Sequence, residues 1–191
     1  MMRIITGSAK GTKLATPPGL ETRPTAERTK EAVFSSIQFL TQDAQVLDLF
    51  GGSGQMALEA LSRGAAEAVI VDSAGPAVSV IRDNLARTHL AEKAVVIQTD
   101  SLRYLETTER KFSLVFLDPP YAEGLLPQVL RIMMRRETVR QGGLIVCESA
   151  SAEDVFGQDE QLQKGYTVVK TAKYGKAVIT YLEPSRERNV R

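Results

Sequence analysis

Residues 45–54, Gln45-Val46-Leu47-Asp48-Leu49-Phe50-Gly51-Gly52-Ser53-Gly54, decide the fold. An apolar run of strand length ends beside an aspartate and breaks at three glycines within four residues. Met56, Leu58, Ala60 and Leu61 follow at helical spacing, and Gly64 ends them. This reads as a buried strand, a tight turn and a helix. The unit then repeats. Ala68–Asp72 is a second strand, and Val78, Ile81 and Leu85 mark a helix behind it. Ala94–Ile97 is a third strand ending near Asp100, followed by a short helix with Leu102 and Leu105. Phe112–Leu117 is a fourth, and Leu126, Val129, Leu130 and Met133 carry the next helix. Gly143–Cys147 is a fifth. Alternating strands and helices predict a doubly wound, mostly parallel α/β sheet. Its near-continuous apolar strands fit burial on both faces. Two last strands, near residues 166–171 and 177–182, have little helix between them and predict an antiparallel pair at one edge.

Upstream of this alternation lies a different pattern. Arg3–Thr6 and Thr12–Ala15 flank a turn and predict a β-hairpin. Pro17-Pro18-Gly19 breaks the chain. Thr25 reads as the N-cap of a helix bearing Val33, Phe34, Ile37 and Leu40. Residues 1–42 are therefore expected to form a hairpin-and-helix extension, with the main domain in residues 43–191.

Composition narrows the function. The chain has 191 residues, 43% of them hydrophobic and 25% charged, which suits one sizeable globular domain. A single cysteine, Cys147, excludes an internal disulfide and reads as an inert core thiol. The one histidine, His89, reads as a helix C-terminal residue. Neither offers a zinc site, and no metal is expected. The start has no long apolar core and no run approaches membrane-spanning length, so a soluble cytoplasmic protein is expected. Net charge is only +1, yet residues 1–40 hold six basic residues against three acidic ones. The tail adds Arg186, Arg188 and Arg191. Two basic ends suggest an anionic partner, with Lys10, Lys13, Arg23, Arg28 and Lys30 as candidate contacts to its phosphates.

In doubly wound sheets, ligands bind outside the carboxyl ends of the strands. Asp48, the glycine loop, Asp72, Asp100 and Asp118 all fall there. Gly52-Ser53-Gly54-Gln55-Met56-Ala57 fits the dinucleotide pattern, and Asp72 stands where a ribose-binding acid is expected. Read literally, this predicts NAD. Charge argues otherwise, because Asp48 would repel a pyrophosphate on the loop. S-adenosylmethionine carries an ammonium and a sulfonium, and a carboxylate beside the loop suits it. Asp72 can accept both ribose hydroxyls, and Asp100 an adenine amino group or a backbone donor. The candidate cofactor residues are Asp48, Phe50, Gly51, Gly52, Ser53, Gly54, Asp72, Asp100, Ser101 and Asp118.

Asp118-Pro119-Pro120-Tyr121 is the most specific signal. Two prolines stiffen the turn and leave carbonyls without neighbouring N–H donors. A carboxylate and a backbone carbonyl can then accept both N–H bonds of one planar amine, which frees its lone pair for a methyl group. Tyr121 can stack on the base. Asp118, Pro119 and Tyr121 are the candidate catalytic residues.

These motifs together resemble class I amino-methyltransferases. More narrowly, Arg3-Ile4-Ile5-Thr6-Gly7, Arg23-Pro24-Thr25 with Arg28, Glu31 and Phe34, Glu59 through Ala65, and Tyr174-Gly175 resemble the RsmD family over nearly the whole chain. The resemblance implies the seven-stranded class I, Rossmann-like fold and S-adenosylmethionine as methyl donor. It implies the exocyclic N2 of a guanine in 16S rRNA as target, within the small ribosomal subunit or its late precursor. Four positions depart from the family pattern, which usually has Ala at Gly52, Leu-Gly at Met56-Ala57, and often Glu at Asp72. An NAD(P)-dependent oxidoreductase, a methyltransferase of DNA adenine or protein glutamine, and an inactive RNA-binding module are the competing readings.

Overall fold

The apolar runs become strands where the sequence puts them. The computed structural model describes residues 2–18, 24–120 and 124–185 and divides into two units, Met1–Ser101 and Leu102–Arg191. In the first unit, β1 (Gln45–Asp48), β2 (Glu67–Asp72) and β3 (Ala94–Gln98) pair in parallel. The crossovers are α2 (Gln55–Ser62) and α3 (Gly75–Thr88), and α1 (Pro24–Ser36) precedes β1. Val46, Leu47, Val69, Ile70 and Val71 are fully buried, which explains why these strands carry no polar alternation. Each such side chain contributes roughly 1.5–3 kcal/mol over an exposed one.

In the second unit, α4 (Ser101–Thr107) leads into β4 (Phe112–Leu117), α5 (Leu125–Arg136) and β5 (Val139–Ser149). α6 (Glu160–Gly165), β6 (Tyr166–Tyr174) and β7 (Ala177–Pro184) complete it. β4 and β5 are parallel, while β7 runs antiparallel to both β5 and β6. The seven-stranded sheet has the order β3-β2-β1-β4-β5-β7-β6. The antiparallel pair stands at one edge as expected, with β6 outermost and β7 the reversed strand. Among the described residues, no helix is long and apolar enough to cross a membrane.

Several local expectations change. The N-terminal hairpin is a single antiparallel bridge, Arg3 to Lys13, rather than two strands. It is closed by Ile4 N–H on Thr12 O at 3.0 Å and Leu14 N–H on Met2 O at 2.9 Å. α1 starts at Pro24, so Thr25 lies in its first turn instead of capping it. The helix stops at Ser36, and Leu40, read as part of its apolar stripe, is 49% exposed in the turn that follows. β5 starts four residues before Gly143, because Val139 pairs with Phe112 across a register shift. α6 was not expected. It is short, and its main determinant is local: the Asp159 carboxylate accepts the Gln161 and Leu162 amides, both at 3.0 Å.

Candidate functional site

The glycine loop is built by close approach. Gly51 N–H donates to Val71 O at 2.8 Å, holding the loop against β2. A Cβ at Gly51 would stand 2.6 Å from the Ile70 side chain, so only glycine fits. Gly52 and Gly54 have φ of 55° and 77°. A Cβ at Gly52 would meet nothing within 4 Å, so the tip of the loop faces open space.

Asp72, at the end of β2, holds this loop. One carboxylate oxygen accepts Gly52 N–H and the other accepts Ala74 N–H, both at 2.8 Å. Each oxygen keeps a second lone pair for a hydroxyl donor. Asp48, at the end of β1, is only 3% exposed and accepts Ala57 N–H at 3.3 Å. Burial pushes its carboxyl up to about 7, the amides of Ala57 and Phe50 oppose the shift, and the charge of Asp72 adds to it. The groups acting on Asp48 are thus two amides and a second carboxylate. A cationic ligand group is the partner this carboxylate suits.

The other candidates of this unit differ in what they present. Phe50 is half-buried and Asp100 is exposed at the start of α4. Ser101 is buried. Ser53 is buried too, and its hydroxyl donates to Met2 Sδ at 3.1 Å, so its side chain serves the N-terminus. His89 is exposed in a left-handed conformation at the C-cap of α3, as the sequence suggests.

Two residues that sequence reasoning missed hold the N-terminal segment against this unit. Buried Asn84 donates to Ala15 O and Ser53 O, both at 2.9 Å, and accepts Ala15 N–H at 2.8 Å. Glu59 has no exposure and accepts the Ile5 and Thr6 amides at 2.8 and 3.0 Å. It also pairs with Arg63 at 2.8 Å and Lys30 at 3.4 Å. The Arg63 guanidinium sits 4.8 Å above the Phe34 ring, which ties α1 to the same network.

This network corrects the basic set. Lys30 is 2% exposed, donates to Arg3 O at 2.6 Å, and cannot reach a phosphate. Burial draws its ammonium below the ordinary lysine range, against the pull of Glu59. Lys10, Lys13 and Arg28 are exposed. Lys10 and Arg28 line one groove with Arg3, Glu27 and Glu31. Arg23, Arg186, Arg188 and Arg191 lie outside the described residues.

In the second unit, Asp118 follows β4 directly and is exposed, and Pro119 beside it is buried. Tyr121 lies outside the described residues. Leu117 pairs with Cys147 on β5. Cys147 is fully buried, and burial pushes its thiol far above the usual range, which makes it inert. Among the described residues, no three His, Cys, Asp or Glu side chains are grouped to hold a metal ion.

Comparison with known proteins adds four likenesses. The family described as conserved hypothetical protein 95 matches residues 2–183. The Escherichia coli protein named ribosomal RNA small subunit methyltransferase D is 35% identical over 148 residues, 78% of this chain and 74% of that protein. The solved Escherichia coli protein yhhF superposes with a TM-score of 0.82 at 31% identity, covering 96% of this chain and 97% of that one. At the level of fold alone, precorrin-6y C5,15-methyltransferase from Geobacter metallireducens superposes with a TM-score of 0.70 at 19% identity, over 90% and 94% of the two chains.

Proposed function

We propose, for a chain that belongs to the family described as conserved hypothetical protein 95, that it methylates the N2 amine of a guanine in small-subunit ribosomal RNA with S-adenosylmethionine. The observation that carries the cofactor is Asp48, a buried carboxylate behind a glycine loop whose tip opens to solvent. A pyrophosphate would meet two carboxylates there, whereas an ammonium is attracted by both. The relative named ribosomal RNA small subunit methyltransferase D supports the RNA substrate.

The residues present fit the cofactor. Asp48 and the loop amides would hold its amino-acid end, Asp72 its ribose, and Asp100 with Ser101 its adenine side. When bound, S-adenosylmethionine supplies an electrophilic methyl group. Asp118 and the Pro119 carbonyl accept the N–H bonds of the incoming amine, so its lone pair is drawn out of conjugation. Tyr121 would stack on the unpaired base. Incubation with labelled S-adenosylmethionine tests the reading: label is expected in small-subunit RNA. Label confined to DNA or protein, or tight NADH binding in place of adenosylhomocysteine, would overturn it.

Three further results are expected. Asp72→Ala should weaken adenosylhomocysteine binding strongly in calorimetry, because the ribose loses its acceptor and Gly52 its tether. Asp72→Asn should restore only part, since one amide oxygen replaces two carboxylate oxygens that each take an N–H. Unchanged affinity in both variants contradicts this role.

Asp48 gives a pH dependence. Its folded value lies near 7 and its unfolded value near 3.8. The folded chain therefore holds this proton longer, and its contribution to apo stability falls as pH rises from 3.8 to about 7. Cofactor binding runs the other way, because ionised Asp48 attracts an ammonium. Affinity for adenosylhomocysteine should rise between roughly pH 5.5 and pH 7, and Asp48→Asn should flatten that rise.

Replacing Lys10, Lys13 and Arg28 should reduce the salt dependence of RNA binding by roughly 0.7–0.9 in log–log slope per lost phosphate contact. Cofactor affinity should hold. An unchanged slope would make this surface structural only.

A further inference from the structure

We propose that Glu148 selects guanine by accepting the N1–H of the target base, an inference that rests on the functional reading above. In the parallel ladder of β4 and β5, Leu117 is the register partner of Cys147. One residue beyond that pair stand Asp118 and Glu148, on strands about 4.8 Å apart. Glu148 also lines a small hollow with Pro119 and Pro120 of the amine-binding turn. It is partly exposed, while Cys147 and Ser149 on either side are buried. The strand thus ends by presenting one carboxylate beside the turn that accepts the amine.

Two more polar side chains of that hollow bond to the backbone that follows β5. The Asp154 carboxylate accepts Ser151 N–H at 2.8 Å, and the Ser149 hydroxyl donates to Ser151 O at 2.7 Å. Glu148 is the carboxylate carried by the strand itself.

Guanine chemistry gives this placement its meaning. N1–H and the N2 amine are attached to the same ring carbon and point to one edge. A turn that accepts the N2 hydrogens puts N1–H beside the next acceptor along that edge. A carboxylate there satisfies guanine. The same carboxylate meets a lone pair, not a proton, at N1 of 2,6-diaminopurine, which carries the identical N2 amine. A site built to accept a substrate N–H rejects the analogue lacking it, because both acceptors are then unpaired.

The test compares guanine with 2,6-diaminopurine. The methylated nucleotide is first mapped in small subunits treated with the wild-type protein. Substrate RNA is then assembled with either base at that position. Wild type should methylate guanine on the order of 10- to 100-fold faster. Glu148→Gln should bring the two rates close together, because its amide can accept from guanine or donate to diaminopurine. Glu148→Ala should slow guanine and lose the preference. Melting temperature and adenosylhomocysteine affinity, expected near wild type, report on folding. A wild type without preference overturns the proposal whatever the variants do. So does a preference that survives in both variants, or an equal loss on both bases. If wild type forms no N2-methylguanosine in small subunits, the functional reading fails and this inference with it.

Discussion

Asp118→Ala is expected to slow single-turnover methyl transfer by a factor on the order of 10²–10³ while leaving small-subunit binding nearly unchanged. The aromatic amine is a weak nucleophile because its lone pair is delocalised. Accepting its N–H bonds becomes more favourable as the nitrogen turns pyramidal and gains positive charge. An interaction that strengthens toward the transition state appears in kcat, with little effect on ground-state binding. Asp118 is exposed at the carboxyl end of β4, beside a buried Pro119. Asp118→Asn should retain more activity, since its amide oxygen still accepts one N–H. Rapid-quench measurements with RNA binding followed separately distinguish the two effects. A loss confined to binding would move Asp118 out of the chemistry.

The second large effect lies away from the chemistry. Glu59→Ala should cost about 3–5 kcal/mol of stability, because it removes one partner of a buried pair. Lys30, 1% exposed in its side chain, would be left as a buried charge without its carboxylate. The Ile5 and Thr6 amides would lose their acceptor as well. For a chain of this size the melting temperature should fall by roughly 6–20 °C. Glu59→Gln should recover little, since its NH2 would face an amide donor. A paired Glu59→Met, Lys30→Met variant should be more stable than Glu59→Ala, because no charge remains buried. Thermal unfolding of these variants decides the matter, and a loss below about 1 kcal/mol would contradict the account.

The strand ends were legible in the sequence for a simple reason. Asp48, Asp72 and Asp118 each close an apolar run, and a run buried on both faces announces its own end. Periodicity was enough to find α2, α3 and α5, whose expected apolar positions are buried except for Met56, which is half-buried. The anchoring of the N-terminal segment by Glu59 was not legible, because the Ile5 and Thr6 amides lie 54 and 53 residues from it in the chain. The stretch from Glu59 to Ala65, read as the end of a helix and as part of a family resemblance, is the seat of the N-terminal hairpin. The Ser62 carbonyl accepts Ser8 N–H at 2.8 Å, and a Cβ at Gly7 would fall 1.8 Å from that oxygen.

Lys30 shows where charge counting misleads. It lies three, four and seven residues before Val33, Phe34 and Ile37, which are all buried. Helical spacing alone places it on the apolar stripe of α1, where a lysine must find a carboxylate. Arg28 and Glu31, off that stripe, are exposed. Face, more than sign, separates an exposed basic residue from one that holds the fold.

The most direct measurement is methyl transfer from labelled S-adenosylmethionine to purified small subunits lacking the modification, followed by digestion and identification of the labelled nucleoside. The account predicts one labelled product, N2-methylguanosine, formed by wild type and nearly lost with Asp118→Ala. Label in any other nucleoside, or equal labelling by the Asp118→Ala variant, would contradict it.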